Sequence, residues 1–484
     1  MSAAALPTSA PVRHPLPRVA SGRWVAFVGG ALGTVAVGGI VVISFRIASA
    51  AAAQPLGLVP SARAGIPSWI TGPLWGYGSP LGLGTLNTLL IVLGGLYLVV
   101  LACSRAIPAP IGLVGAALAI LIFTLAPPLF STDIFNYVNY ARLGVVHHIN
   151  PYVHGAASFP ADPSFPFTGK VWKHTPTTYG PLFTLITYAF VPLGVSGAMW
   201  GLKVLSAVAA FACGALIWFC AKQLGARPLP AVLFFALNPL LLVYAVAGGH
   251  NDILMALPLL GGALLILRGQ PLLGGAALML AAGIKPSAVL VIPFVLVASS
   301  LRWRILAGAV AGAAVLVAMG YLGFGADVFR LGHTLVHDGR LKSQLSSVPG
   351  YVGTTVLDLG RVTASWERPL HLAFGAGALI LLVVAWWRRN WISASCAAVV
   401  LLLATSTWLF PWYILWALPL APLARRRWVT VTVLLFTALL VAIQVHHNDN
   451  VLRREVKTGT TVVQRPFDLV ASPHARIFDT GTKT

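Results

Sequence analysis

Acidic residues are scarce in this sequence. Its 484 residues include 11 Asp and Glu against 32 Lys and Arg, and all charged residues together make up only 9% of the chain. Soluble globular proteins carry roughly 25% charged residues, so this composition excludes an ordinary water-soluble domain. With 58% hydrophobic residues and a mean hydropathy of +0.85, the chain is predicted to be a membrane protein.

Cysteine is also rare, and phosphate-binding loops are missing. Cys103, Cys213, Cys220 and Cys396 all lie inside apolar runs. They form neither a disulfide framework nor a zinc pattern, so we expect four small buried side chains. The sequence has no Gly-rich loop of the P-loop or dinucleotide type, so we expect no nucleotide site and no cofactor.

The apolar residues form many runs, some of them near the roughly 20 residues with which a helix crosses a bilayer. These runs are continuous rather than alternating, which excludes a transmembrane β-barrel. The net charge of +21 comes from Lys and Arg at the ends of runs, so it follows the positive-inside rule and does not indicate nucleic acid as a partner. The predicted fold is an all-α polytopic membrane protein with about 13 transmembrane helices.

The charge pattern divides the chain into three parts. Residues 1–23 are predicted to be a disordered cytoplasmic leader, residues 24–445 a membrane domain, and residues 446–484 a basic polar tail. With the N-terminus inside, three crossings place Asp133 on the outer side of the membrane.

Two large outer loops follow from the same pattern, over residues 131–198 and 323–368. The apolar segment 179–195 is interpreted as a surface helix of the first loop, because a crossing there would reverse the later charge pattern. Residues 232–247 and 413–423 are both predicted to be crossings.

Asp133 follows an apolar run directly, at a predicted membrane edge. A carboxylate there is costly unless it is solvated or paired, which makes it a functional candidate. An interfacial helix cap is the equally ordinary alternative. Asn136 and Tyr140 lie on one helical face with Asp133, next to Tyr137. Amide, phenol and carboxylate groups suit the hydroxyls of a sugar.

Prolines shape the rest of the first outer loop. Asn150-Pro151-Tyr152 and Thr178-Tyr179-Gly180-Pro181 are turn-forming sequences. Four histidines accompany them, but their spacing matches no compact zinc pattern, so no metal site is predicted. These histidines are His147, His148, His154 and His174.

Two further polar clusters interrupt the apolar sequence. Gly248-Gly249-His250-Asn251-Asp252 is either a helix start or an acceptor-binding cluster, with glycines that allow close backbone approach. Lys285 lies between two apolar runs without an acidic neighbour in the sequence. A lipid phosphate is its expected partner, and extension to the lipid headgroups is the alternative.

The second outer loop and the last motif add cations and aromatic rings. Arg340 and Lys342 belong to a basic excess on the predicted outer side, where it suggests an anionic ligand. Trp412 and Tyr413 follow Pro411 at another outer helix end, where they are either an interfacial aromatic belt or a sugar-stacking surface.

These motifs together resemble a known family. The run from Asp133 to Tyr140, Asn150-Pro151-Tyr152 and Tyr179-Gly180-Pro181-Leu182 resemble the first outer loop of GT-C membrane glycosyltransferases. They are especially similar to the polyprenol-phosphomannose-dependent alpha-1,6-mannosyltransferases of actinobacterial envelopes. Gly249-His250-Asn251-Asp252, Lys285-Pro286 and Pro411-Trp412-Tyr413 continue the resemblance in the same order. Thr175-Pro176-Thr177-Thr178 departs from the expected approach to Tyr179, which leaves acceptor and linkage open.

The resemblance implies a multi-pass protein of the bacterial inner membrane with its active site on the extracytoplasmic side. It implies transfer of mannose, with inversion, from polyprenyl-phosphate-mannose to a mannan or lipoglycan acceptor in alpha-1,6 linkage. Asp133 would be the general base, and Lys285, Arg340 and Lys342 would hold the donor phosphate. The expected sugar and acceptor contacts are Asn136, Tyr137, Tyr140, Asn150, Tyr152, Tyr179, His250, Asn251, Asp252, Trp412 and Tyr413.

Three alternatives stay open at this point. The donor could carry another sugar, such as arabinose or glucose. A transporter or flippase of lipids or glycans would also use charges within the membrane. A noncatalytic envelope assembly protein would tolerate loss of Asp133.

Overall fold

The computed structural model describes residues 19–53, 67–169, 172–341, 347–357 and 364–458. Within these ranges all regular structure is helical and no strand is found, so the predicted all-α fold is confirmed. Most of the predicted leader and the end of the predicted tail lie outside the described residues.

The α-helices are numbered in chain order. The first half of the chain forms α1 (Val19–Ala53), α2 (Ser68–Thr71), α3 (Leu83–Cys103), α4 (Ala109–Leu125), α5 (Asp133–Val145), α6 (Pro181–Tyr188), α7 (Gly194–Gln223) and α8 (Pro228–Ala236). The second half forms α9 (Asp252–Leu267), α10 (Pro271–Ile284), α11 (Val291–Ala298), α12 (Arg302–Phe324), α13 (Arg330–Leu341), α14 (Val348–Tyr351), α15 (Ala364–Arg388), α16 (Trp391–Thr405) and α17 (Arg427–Thr458).

Six helical stretches in the described residues are long and apolar enough to cross a membrane, and five shorter apolar helices accompany them. Between 6% and 50% of each long apolar window is buried inside the protein, so much apolar surface faces outward, as lipid contact requires. The long stretches are Trp24–Ala53, Leu83–Cys103, Pro181–Gln223, Arg302–Leu335, Trp366–Arg388 and Arg427–His446. The count of about 13 crossings stays a prediction.

The predicted crossing at residues 232–247 is not a continuous α-helix. Helix α8 ends at Ala236, and the chain resumes as a wide helical turn at Leu241–Val246. Between them, the Asn238 side-chain oxygen accepts a hydrogen bond from the Leu240 N–H at 3.0 Å. Pro239 explains the break, because proline lacks an N–H and disfavours a helical conformation in the residue before it.

The predicted crossing at residues 413–423 is not an α-helix either. The chain there forms 3₁₀ turns at Pro411–Trp416 and Ala421–Leu423. Pro419 and Pro422 each remove a backbone donor, which prevents a regular α-helical ladder. This irregular backbone is buried inside the protein, and the aromatic residues of the first turn are therefore held near the centre of the bundle end.

Both predicted boundaries of the membrane domain fall inside helices. Helix α1 begins at Val19, within the predicted leader, and α17 continues past Val445 to Thr458, within the predicted tail. The second predicted outer loop is also largely helical where it is described, because it contains α13 and α14.

Helix α10 packs between α9 and α12. A Cβ atom at Gly275 would overlap the Ile305 carbonyl, and one at Gly308 would overlap the Leu272 carbonyl. The two glycines therefore let the backbones of α10 and α12 touch. Near the C-terminal end of α10, a Cβ atom at Gly283 would overlap the Leu316 side chain of α12, so the two helices stay close up to the point where Lys285 follows.

Candidate active site

One cavity of about 340 Å³ lies at one end of the helix bundle. At this end α5 and α9 begin, and α10 and α16 end. Its wall combines a carboxylate, an ammonium group, hydroxyl groups and aromatic rings. The residues that line it are Asp133, Trp172, Thr178, Tyr179, Lys285, Pro286, Ser287, Leu335, Leu402, Leu403, Ser406, Trp408, Phe410, Tyr413 and Trp416.

Asp133 is the first residue of α5, and it does not cap that helix. Thr132 occupies the cap position without a side-chain hydrogen bond to the helix, and the Asp133 N–H donates to the Ser131 hydroxyl at 3.1 Å. Phe130 just before it has a φ of 56°, a conformation uncommon outside glycine that often marks functional sites. The Asp133 carboxylate is thus left to face the cavity, with 11% of its side chain exposed.

Burial raises the pKa of Asp133 from 3.8 to about 7. The nearby Lys285 charge opposes this rise, whereas the Asp252 charge adds to it, and the Ser131 hydrogen bond also lowers the pKa slightly. A carboxyl group with a pKa near neutrality can exchange a proton with a substrate hydroxyl under physiological conditions.

His250 lies behind Asp133 as a neutral ring. Its Nδ1 is 3.5 Å from the Asp133 Oδ2, and its ring stacks on Trp412 with centroids 3.8 Å apart. Burial, together with the charges of Lys285 and Lys203, holds the His250 pKa well below its ordinary value of 6.5. The contact with Asp133 is therefore not an ion pair. Neither ring nitrogen has a hydrogen-bond partner among the described residues.

Lys285 has a carboxylate partner that its sequence position did not reveal. Its Nζ donates to the Asp252 Oδ1 at 2.7 Å, and the Trp416 indole N–H donates to the same oxygen at 2.5 Å. Asp252 is fully buried, whereas 12% of the Lys285 side chain is exposed and this side chain lines the cavity. Asp252 therefore fixes the position of the ammonium group from behind.

The Tyr-Gly-Pro motif reaches Lys285 through its backbone. The Gly180 N–H donates to the Ile284 carbonyl at 3.1 Å. A side chain at Gly180 would overlap the Gly283 carbonyl, so only glycine permits this approach. The contact brings Tyr179 and Lys285 into the same cavity wall.

Aromatic rings line the cavity beside Lys285. Tyr413 and Trp416 stack with centroids 4.5 Å apart, and the Lys285 Nζ lies 4.5 Å and 5.3 Å from their ring centroids. Trp408 packs edge-on against Trp172 at 5.7 Å. Such a wall can hold the ammonium group by cation–π attraction and can also stack with the apolar face of a sugar.

Among the residues predicted from the sequence, Asp133, Tyr179, Lys285 and Tyr413 line this cavity. The other predicted contacts whose side chains are described do not line it. Arg340 belongs to α13, but the structure does not describe its side chain. Lys342 lies outside the described residues.

Several predicted sugar contacts instead hold the first outer loop together. Tyr140 Oη donates to the Thr175 carbonyl at 2.8 Å, and Tyr152 Oη donates to the Tyr179 carbonyl at 2.9 Å. Asn150 Nδ2 donates to the Phe324 carbonyl at 2.7 Å. Their polar groups are satisfied within the protein, which leaves them a supporting role in this structure.

The remaining predicted contacts form a second layer behind Asp133. Tyr137 Oη lies 3.5 Å from the Asn251 Oδ1, and Trp412 is sandwiched between His250 and Phe410. Asn136 is 3% exposed, and its side-chain oxygen has no hydrogen-bond partner among the described residues. That oxygen is buried and does not line the cavity.

Sequence reasoning missed Lys203, a fully buried residue of α7. Its Nζ donates to the Phe123 carbonyl at 3.0 Å and to the Ala247 carbonyl at 2.7 Å. Phe123 precedes the segment of Asp133, and Ala247 precedes that of His250. Lys203 thus joins the two segments, and only its position as a lone cation within an apolar run could have revealed it.

The side chains that could bind a metal are the His, Cys, Asp and Glu residues of the described ranges. No group of three or more His, Cys, Asp or Glu side chains arranged for a metal is found in the part of the chain that the structure describes. His147 instead stacks on Phe159 at 3.8 Å and contacts Asp162.

The fold and this cavity define a class: a helical membrane protein with a cavity at one end of its bundle that is lined by a carboxylate, an ammonium group and aromatic rings. A family model described as the alpha-(1->6)-mannopyranosyltransferase N-terminal domain matches residues 30–301. The chain belongs to this family, MptA_B.

Individual relatives are distant in sequence. Over 196 residues the chain is 26% identical to alpha-(1->6)-mannopyranosyltransferase A of Corynebacterium glutamicum, a match that covers 39% of each protein. It is 24% identical over 331 residues to alpha-(1->6)-mannopyranosyltransferase A of Mycobacterium tuberculosis, a match that covers 63% of each. A further alpha-(1->6)-mannopyranosyltransferase of the same organism is 30% identical over 134 residues, which are 26% of this chain and 22% of that relative. The matches thus span less than two thirds of these relatives. No solved structure matches the chain.

Asp162 anchors the loop that follows α5. Its carboxylate accepts hydrogen bonds from the Arg142 Nε at 3.0 Å and from the Ser164 N–H at 2.8 Å, and it contacts the His147 Nε2 at 2.6 Å. Burial alone would raise its pKa, but the hydrogen bonds from Arg142, Ser164 and His147 prevail and lower it to about 2.

We expect Asp162→Asn to lower the free energy of unfolding by about 2 to 4 kcal/mol, because it leaves a half-buried Arg142 without its charged acceptor. Thermal unfolding in detergent measures the loss. Since the folded pKa is lower than the ordinary 3.8, the Asp162 contribution is present above pH 4 and is lost as the pH falls through about 2.

Asp327→Asn is the matched control, because Asp327 forms an ion pair with Arg330 but is 38% exposed. Its effect should stay below about 1 kcal/mol. Equal effects of the two substitutions would contradict the anchoring role of Asp162.

Proposed function

We propose that this protein is a membrane mannosyltransferase that transfers mannose from polyprenyl-phosphate-mannose to a mannan or lipoglycan acceptor in alpha-1,6 linkage. Membership of the alpha-(1->6)-mannopyranosyltransferase family supports the reaction. The assignment of the reaction to particular residues rests on one observation: Asp133 and Lys285 line the same cavity, together with several aromatic rings. The cavity has space for one sugar and its phosphate.

In the proposed reaction, the acceptor hydroxyl oxygen bonds to the anomeric carbon while the bond from that carbon to the phosphate oxygen breaks. Asp133 accepts the hydroxyl proton, and the bond electrons leave with the polyprenyl phosphate. Attack opposite to the leaving group inverts the anomeric configuration. Asp133, with its pKa near 7, is suited to take this proton.

The donor phosphate has a natural place beside Lys285. An ammonium group fixed by Asp252 and Trp416 can stabilise the negative charge that develops on the leaving phosphate. Leu335, Leu402 and Leu403 give the same cavity an apolar side, along which the polyprenyl chain can extend into the lipid. Asp252, which sequence reasoning assigned to acceptor binding, is better explained as the residue that positions Lys285.

The side of the membrane is part of the proposal. Several Lys and Arg residues at the ends of apolar helices lie opposite to this cavity, such as Arg268 after α9 and Arg388 at the end of α15, whereas the basic residues of α13 lie on the cavity side. The positive-inside rule then favours a cavity on the extracytoplasmic face of the cell membrane.

The test of the proposed reaction is an assay of membranes with radiolabelled polyprenyl-phosphate-mannose and an oligomannoside acceptor. We expect Asp133→Asn to lower kcat by about 10²- to 10⁴-fold with nearly normal donor binding, because the amide cannot accept the proton. In the unaltered protein, kcat/KM should rise as the pH increases through about 7, because Asp133 acts in its deprotonated form.

Asp133→Ala is assayed beside it. A purely structural role at the start of α5 predicts a stable and active Asn variant and a destabilised Ala variant. A folded Asn variant with full activity would refute Asp133 as the base. Transfer of another sugar, but not of mannose, from its polyprenyl phosphate would refute mannose as the substrate.

Lys285 is best tested together with Asp252, since Lys285→Met alone would leave a buried carboxylate without a partner. In the double variant Lys285→Met and Asp252→Asn, no buried charge is left unpaired. We expect its donor KM to rise about tenfold or more, because a charge-assisted contact with phosphate is lost.

Asp252→Asn alone is the control, since it keeps the ammonium group. Its donor KM should rise less than that of the double variant. If the double variant binds the donor normally, Lys285 serves only as the partner of Asp252 and has no role in phosphate binding.

Topology is tested with cysteines at Gly325 and Gly269, in a Cys103→Ala background. Both glycines are exposed, with positive φ angles of 66° and 76°, and a Cβ atom added at either would meet no other atom within 4 Å. In intact cells an impermeant thiol reagent should label Gly325→Cys and not Gly269→Cys, whereas permeabilised cells should show labelling of both. The reverse pattern would place the cavity on the cytoplasmic side.

A further inference from the structure

A second cavity lies at the other end of the bundle. Its volume is about 460 Å³, and it does not share a residue with the cavity of Asp133. Helices α9 and α16 connect the two: their Asp252 and Ser406 ends lie at the first cavity, and their Leu267 and Trp391 ends line the second. An α-helix of 16 residues such as α9 is about 24 Å long. The two sites are therefore separated by most of the thickness of the hydrocarbon layer.

Four arginines converge on this second cavity, which we call the basic cavity. Arg388 and Arg389 come from the end of α15, and Arg425 and Arg426 come from the segment before α17. Two separate parts of the chain thus contribute four exposed arginines to the lining of one cavity. At close range their guanidinium groups repel one another unless an anion lies between them.

No Asp or Glu is among the residues that line the basic cavity. No ion pair to any of these four arginines occurs in the part of the chain that the structure describes. The sequence explains this, because residues 163–251, 253–326 and 368–448, which include every segment that lines the cavity, contain no Asp or Glu. The described residues therefore supply no counter-charge to these arginines, so an anion bound from outside is the natural partner.

The backbone of the cavity is formed by an uncommon turn. Arg389 has a φ of 51°, although it is not a glycine. A left-handed residue between two helices carries a conformational cost and is enriched at binding sites. Asn390 then starts α16 by accepting a hydrogen bond from the Ser393 N–H at 3.3 Å. The turn places Arg388, the last residue of α15, and the following Arg389 in the lining of the cavity.

Exposed tryptophans place the basic cavity at the level of the lipid headgroups. Trp386 is 51% exposed, Trp387 is 78% exposed and Trp428 is 53% exposed, and each lies within three residues of a cavity arginine. Tryptophan on an outer surface concentrates at the membrane–water interface. The inner wall of the cavity includes Leu224 and Leu423, which provide apolar contact beneath the arginines.

We propose that the basic cavity binds a phosphate group, presented by the headgroup of an anionic membrane lipid. Guanidinium groups bind phosphate oxygens in pairs of parallel hydrogen bonds, and basic pockets between membrane helices hold phosphorylated headgroups. The aliphatic wall fits the glycerol and upper acyl carbons of such a lipid. Free phosphate shares the same chemistry at the arginines but not at this wall.

The test uses the full chain in nanodiscs of phosphatidylcholine, with three additions: none, a minor fraction of cardiolipin, or inorganic phosphate. The thermal unfolding midpoint and native mass spectrometry report the bound lipid. Cardiolipin should raise the midpoint and remain bound, because a ligand that prefers the folded state stabilises it. Inorganic phosphate should have a much smaller effect.

The double variant Arg389→Gln and Arg426→Gln should weaken cardiolipin binding about tenfold or more, because each arginine supplies charge-assisted hydrogen bonds. The matched control is Arg302→Gln with Arg304→Gln, which removes two exposed arginines from the start of α12 outside the cavity. This control should retain the lipid effect. A variant is taken as folded when its thermal unfolding midpoint in pure phosphatidylcholine equals that of the unaltered protein. If the double variant Arg389→Gln and Arg426→Gln does not fold, the single variant Arg426→Gln is tested in its place.

Three results would overturn the proposal. Equal weakening by both double variants would mean that overall surface charge, and not the basic cavity, attracts the lipid. A phosphate effect as large as that of cardiolipin would assign the cavity to a free anion. Absence of any cardiolipin effect on the unaltered protein would exclude a lipid site.

Discussion

The ion pair between Lys285 and Asp252 is the contact on which the arrangement of the candidate active site depends. It joins the end of α10 to the start of α9, and through Trp416 it includes the turn after α16. Both charges lie where water is largely excluded, so separating them would leave an uncompensated charge in a medium of low dielectric constant. The pair therefore holds three segments in one geometry. Tyr179 is added to them through the backbone contact of Gly180 with Ile284.

The fold followed from the sequence because its causes are local. Long apolar runs and scarce charges are sufficient to predict a helical membrane protein, and the structure confirms this class. Prolines limited the prediction of individual crossings. Pro239, Pro419 and Pro422 interrupt apolar runs that hydropathy alone treats as continuous. A proline leaves a backbone carbonyl without its usual helical donor. Whether the helix then breaks depends on neighbouring segments that can supply another donor, and hydropathy does not report these.

The candidate site was predictable only in part, because burial depends on contacts that are distant in the sequence. Asp133 and Lys285 stand out as charges in apolar surroundings, and both line the cavity. Asn150 and Tyr152 stand out equally, but their partners are Phe324 and Tyr179, which lie 174 and 27 residues away. No local pattern distinguishes a polar group that binds a ligand from one that binds the protein's own backbone.

Lys203 is a contact residue that the sequence did not reveal. Its partners are two backbone carbonyls, and a carbonyl belongs to every residue, so the sequence holds no signature of the contact. The contact nevertheless places the segment of Asp133 beside that of His250. A lone cation within an apolar helix needs such acceptors, because an unpaired buried charge is not tolerated. The position of the lysine predicts that acceptors exist but not which ones.

The environment of Asp133 links donor binding to base strength in the proposed reaction. The Lys285 charge lowers the Asp133 pKa, whereas burial and the Asp252 charge raise it. A donor phosphate beside Lys285 brings a negative charge that offsets the ammonium group. The carboxylate of Asp133 then loses part of its stabilisation and becomes a stronger base. The deprotonated carboxylate then accepts a proton more readily, although the pH above which it is deprotonated also rises. Under the proposal, Lys285 thus both holds the leaving group and tunes Asp133.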